Sequence, residues 1–173
     1  MVKVADLDWA VIEKVLNVNL YGVLYLTKAF LPHLLQRPEA HIVNISSMGG
    51  FLPVPGQTVY GASKAAVKLF TEGLWSELAD TNVRVTVVFP GAIATNIAGN
   101  SGLSLPGSAD DAAKSGMQTM AAAEAAEVIV DGMERDAFRV LVGKDATFMD
   151  RFYRLSPQRA AKLIYERMRS IMS

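Results

Sequence analysis

The sequence predicts an α/β fold, an open parallel sheet covered by helices, and three observations carry that reading. Two short runs rich in β-branched residues, HIVNISS at 41–47 and VRVTVVF at 83–89, are nearly continuously apolar, as strands covered on both faces are. Longer segments around them repeat apolar residues at helical spacing. The joints are short, so helices and strands alternate along the chain, which is the order of a parallel sheet.

Element by element, Asp6 or Asp8 can cap a first helix over 9–35. Its apolar residues are Val11, Ile12, Val15, Leu16, Val18, Leu20, Val23, Leu24, Leu26, Phe30 and Leu34. They occupy several sides, so the helix is expected to be buried on more than one. Pro32 kinks or shortens its last turn, and Pro38 falls in the next loop. The strand at 41–47 follows, then a helix over 57–79 with Ala62, Ala65, Ala66, Leu69, Phe70, Leu74 and Leu78 on its apolar side. The strand at 83–89 ends at Pro90-Gly91. From 96 to 115 the composition is small and polar, broken by Gly99, Gly102, Pro106 and Gly107, which reads as a loop. A helix over 121–135 and a strand over 138–142 come next, and Ser156-Pro157 starts a last helix ending near 172. No repeat or second domain interrupts this order, so residues 1–173 are expected to form one domain.

Composition excludes several classes of function. Seventeen basic and seventeen acidic side chains cancel, leaving no field to attract nucleic acid or an anionic membrane. Cysteine is absent and there are two histidines, His33 and His41, so disulfides, thiolate chemistry and a dedicated metal site are not expected. No apolar run approaches the roughly 20 residues of a membrane span. The first residues carry acids among their apolar positions, unlike a secretory signal. A cytoplasmic protein with a small-molecule partner is expected.

Tyr60 and Lys64 are four apart on the second helix and share one face. A phenol is a poor proton carrier at neutral pH until a nearby cation stabilises its phenolate, and the spacing provides that cation. Ser47 ends a strand where the carboxyl edge of a parallel sheet opens onto a ligand crevice. Two readings of it stand, a hydroxyl that binds a substrate oxygen and a simple strand end before Gly49-Gly50. Pro90-Gly91 is either a plain turn or a place where glycine lets a ligand approach the backbone.

The segments NVNLYG (17–22), IVNISS (42–47), YGASK (60–64) and VVFPGAIAT (87–95) resemble, in order and spacing, the motifs of the short-chain dehydrogenases/reductases. The resemblance implies a Rossmann-like, doubly wound sheet and an NAD- or NADP-dependent reduction of a carbonyl or oxidation of a secondary alcohol. It implies a catalytic tetrad of Asn19, Ser47, Tyr60 and Lys64, with Tyr60 as acid/base and Ser47 positioning the substrate oxygen. Lys64 would hold the nicotinamide ribose, and Asn19 a water linked to Lys64. Pro90, Gly91, Ile93 and Thr95 would hold the nicotinamide carboxamide. Residues 96–115 and 148–153 would line the substrate side, whose apolar content suits an apolar compound. Family members often pair through their long helices, so a homo-oligomer is expected.

Enzymes of this kind begin with a strand and a glycine-rich turn that receives the pyrophosphate. That turn is missing here; Gly49-Gly50 does not continue as G-x-G-x-x-G. The resemblance is therefore to the family's C-terminal two-thirds, a partial sheet without its first strands. A catalytically incompetent chain acting only through interactions is the alternative, and the first strand is expected to have an unpaired outer edge.

Overall fold

A computed structural model describes residues 2–95 and 119–172. The segment 96–115, read above as a loop, lies outside them. Helix α1, Trp9–Leu16, starts on Asp8, whose carboxylate accepts the Ala10 N–H at 3.1 Å. It continues through a π turn, Asn17–Tyr21, into α2, Gly22–Leu34. The Gly22 N–H reaches back five residues to the Asn17 carbonyl, so the helix expected at 9–35 is one rod containing a surplus residue. It is not buried on several sides: Trp9 is 77% exposed and Tyr25 69%, with Val18, Leu26 and Phe30 also open.

The described strands are β1 (Ala40–Ile45), β2 (Val83–Pro90), β3 (Ile93–Ala94), β4 (Met120–Ala121) and β5 (Arg139–Val142). Strands β1, β2 and β5 form a parallel sheet in the order β1-β2-β5, with Ile42 opposite Val85 and Phe89 opposite Leu141. Strands β3 and β4 pair separately, also in parallel. Among the described residues β1 pairs on one side only, and Ile45 at its end is exposed.

Helices cover both faces, as the continuous apolar runs require. On one face Ile42, Val83 and Val85 meet Leu74 and Leu78 of α3, Thr58–Glu77, together with Leu31 and Leu34 of α2. On the other, Val88, Val140 and Val142 meet Ala125 of α4, Ala122–Glu134. Two further helices, α5 (Lys144–Leu155) and α6 (Pro157–Met172), pack through Met149 and Ala160 onto Leu52. Helix α5 is an addition to the sequence expectations. Arg159, Lys162, Arg167 and Arg169 lie exposed on α6.

At the amino-terminal end of the sheet, the Thr86 hydroxyl donates to the Ala137 carbonyl (2.7 Å). It has no second proton, so the His41 Nε2–H donates to Thr86 Oγ1 (2.8 Å) and Nδ1 faces Asp136 at 3.7 Å. Burial lowers the His41 pKa from its ordinary 6.5, outweighing the opposing pull of Asp136, while Arg84 adds to the lowering. The unfolded chain then binds more protons below that value than the folded one. Stability should be full above the unfolded pKa and fall as acidification proceeds through the lowered folded value. Urea midpoints measured at several pH values should show this acid loss, and His41→Gln, which keeps a donor toward Thr86, should flatten it. An unchanged pH profile in the variant would assign the loss to other groups.

Candidate active site

The carboxyl ends of β1 and β2 carry Ser47 and the 90–95 segment, while Tyr60 and Lys64 stand on α3 and Asn19 in the π turn. After β1 the chain makes a 3-10 turn, Met48–Gly50, capped by Ser47, whose Oγ accepts the Gly49 N–H at 3.1 Å. The turn presses against α3. A Cβ on Gly50 would stand 2.6 Å from Ser46 Oγ and 3.0 Å from the Lys64 carbonyl, so a side chain there would push turn and helix apart. The Ser46 hydroxyl joins them by donating to the Lys64 carbonyl at 2.8 Å.

This seating brings Ser47 to Tyr60. The position of a Cβ on Gly49 lies 3.5 Å from both Ser47 Oγ and Tyr60 Cε1, so hydroxyl and ring flank one small volume. Lys64, on the same face of α3, sends Nζ to the Ile45 carbonyl at 3.0 Å, and burial lowers its pKa. The neighbouring Ser46 N–H bonds Val88 of β2, so the alternate Ile45 carbonyl points to the outer edge of β1.

Asn19 sits within the π turn and reaches α3 by a route the sequence did not suggest. Its Nδ2 donates to Ser63 Oγ at 3.1 Å, and that hydroxyl donates to the Tyr60 carbonyl at 2.6 Å. Ser63 is fully buried and links Asn19 to the turn of helix that carries Tyr60. A small polar residue on the sheet-facing side of α3 is the signal that could have found it.

At the end of β2 the Gly91 N–H donates to the Val142 carbonyl (2.9 Å), and the Ala92 carbonyl accepts the Met120 N–H (3.0 Å). Ile93 packs its side chain against the core around Val88, and Thr95 is exposed. Asp145, in the first turn of α5, was not anticipated; its Oδ2 accepts the Ala92 N–H at 2.7 Å. A cavity of about 530 Å³ opens between the turn after β1, α3 and the last two helices, lined by Phe51, Leu52, Pro53, Tyr153 and Tyr165 among others. It touches Gly49 and Gly61, while Ser47, Tyr60 and Lys64 are not in its wall. Among the described residues no helix is long and apolar enough to cross a membrane.

Parallel sheet, crossover helices and an open carboxyl edge define a Rossmann-like α/β domain. The chain belongs to the short chain dehydrogenase family, whose sequence profile matches residues 1–105. It is similar to SadH of Mycobacterium tuberculosis, named as a candidate oxidoreductase, at 38% identity over 158 residues, 88% of this chain and 57% of that protein. It is also similar to dehydrogenase/reductase SDR family member 7B of Mus musculus, at 36% over 140 residues, 80% of this chain and 42% of that one. Among solved structures, a short chain dehydrogenase from Burkholderia cenocepacia in complex with NADP superposes with TM-score 0.78 and 27% identity, over 93% of this chain and 62% of that one. Another, from Burkholderia phymatum in complex with NAD, gives 0.73 and 25%, over 86% and 59%. The chain thus spans about half the length of the curated relatives it matches.

Proposed function

We propose that this chain carries the catalytic portion of an NAD- or NADP-dependent oxidoreductase that reduces a carbonyl or oxidises a secondary alcohol. The observation that carries the reading is the small volume flanked by the Ser47 hydroxyl and the Tyr60 ring, with Lys64 on the same helix face. In this reading Ser47 orients the substrate oxygen and Tyr60 exchanges a proton with it. Lys64 holds positive charge beside the phenol and can turn from the Ile45 carbonyl to ribose hydroxyls. Asn19, through Ser63, steadies the turn of α3 that bears Tyr60. The residues fit the nicotinamide half of the cofactor: Lys64 offers a partly buried ammonium to the ribose, and Ile93 backbone groups and the exposed Thr95 hydroxyl suit the carboxamide. Bound there, the nicotinamide would supply hydride transfer.

The apolar side chains of 148–153, Phe148 and Phe152 among them, support a small apolar substrate, and the open apolar side chains of α1 and α2, together with Leu69 of α3, support a homo-oligomer. The test is a titration with NADH and NADPH followed by nicotinamide fluorescence. Saturable binding of at least one is expected. If neither binds, the chain as it stands is not an enzyme of this kind, and the rival reading of an interaction protein takes its place.

A further inference from the structure

Two features of the turn after β2 and a third after β5 converge on one carboxylate. A Cβ on Gly91 would lie 2.3 Å from both oxygens of Asp145, and one on Gly143, where φ is +106°, would lie 2.4 Å from Oδ1. Oδ2 of the same residue accepts the Ala92 N–H at 2.7 Å, a charge-assisted bond. The space left by Gly91 is therefore filled from within the chain. Held at its N–H by Asp145 and at its carbonyl by the Met120 N–H, the Ala92 residue has both backbone groups fixed. Ile93 and Ala94 then leave it as strand β3, toward Thr95.

We infer that Asp145 is a positioning residue for the cofactor. Its carboxylate wedges against Gly91, fixes the orientation of the Ala92 amide and so sets where the Ile93 backbone and the Thr95 hydroxyl meet the nicotinamide. Gly91 is glycine to admit this carboxylate, not to admit the ligand. The inference rests on the oxidoreductase reading above, which assigns Ile93 and Thr95 to the nicotinamide.

The experiment is a fluorescence titration of the 173-residue chain with NADPH and with reduced nicotinamide mononucleotide, with thermal melts alongside. Asp145→Ala should weaken binding of both by about tenfold, the scale of one charge-assisted hydrogen bond. Asp145→Asn, which can still accept the Ala92 N–H, should recover most of that loss, a rescue that a purely structural charge would not show. Gly91→Ala should bind poorly, and the Gly91→Ala/Asp145→Ala pair no worse than Asp145→Ala alone, because the group struck by the new methyl is gone. Wild-type affinity in Asp145→Ala would overturn the inference, and so would a double variant weaker than Asp145→Ala. Either result, obtained while the wild-type chain binds, defeats this inference alone. Absence of binding by the wild-type chain defeats the oxidoreductase reading and the inference together.

Discussion

Asp150→Ala is expected to destabilise the fold by about 3 kcal/mol, the range for breaking a buried ion pair by removing one partner. For a chain of this size that lowers the melting temperature by roughly 6–12 °C. Asp150 is 8% exposed and accepts from Arg139 Nη2 at 2.9 Å, while Arg154 Nε lies 3.1 Å away. Arg139 is itself 18% exposed, lies 4.7 Å over the Phe89 ring and has Glu72 at 4.0 Å from an Nε that makes no hydrogen bond. Without Asp150 the guanidinium keeps one distant carboxylate in a site with little water. The exposed pair Arg135–Asp131, with side chains 68% and 59% exposed, should give less than about 1 kcal/mol when broken in the same way. A double variant, Arg139→Met with Asp150→Leu, should regain most of the loss, since a well-packed apolar pair removes the desolvation problem. Thermal or urea unfolding of the variants checks this, and a small effect of Asp150→Ala would mean that Glu72 and water satisfy Arg139. The cluster also matters to the site, because Glu72 belongs to the helix that carries Tyr60 and Lys64.

Tyr60→Phe should lower turnover by about 10²–10⁴-fold, the usual contribution of a positioned acid/base group. The ring and its packing against Gly49 remain, so the fold should melt as before. Cofactor affinity should change by about tenfold or less, the scale of one hydrogen bond. Steady-state rates with a panel of apolar ketones, set beside cofactor titrations, would separate the two effects. Tyr25→Phe is the control: that ring is open on α2, away from the cavity, and its loss of hydroxyl should leave turnover unchanged. Turnover unaffected by Tyr60→Phe would remove this residue from the chemistry.

The parts of the fold legible in the sequence are those whose signal is local. Strands β1 and β2 are legible because the residues around Ile42 and Val85 are β-branched and form short, nearly continuous apolar runs. Helix α3 showed in its apolar spacing, and Tyr60 with Lys64 in their separation by four. What escaped depends on partners far along the chain. Helix α5 buries Asp150 beside Ala146 and Met149, and a buried acid breaks the apolar stripe unless Arg139, eleven residues upstream, is known to face it. Ser63 has meaning only with Asn19, 44 residues away, and Asp145 only with Ala92, 53 away. The volume beside Gly91 is hidden from the sequence for the same reason, since it is occupied by Asp145, a residue no short motif contains.

The π turn at Asn17–Tyr21 accounts for another misreading. Counted at about 100° per residue, the half-buried set Val11, Ile12, Val15 and Leu16 lies roughly 100° around the helix from Val23, Leu24, Leu31 and Leu34. In an uninterrupted α-helix those two stripes would face different neighbours, which is why the sequence seemed apolar all round. One surplus residue contributes about that same rotation and brings the stripes back into register. The turn thus works as a phase corrector: Asn19 sits at the seam, and the two helices on either side share one buried direction only while the extra residue is present.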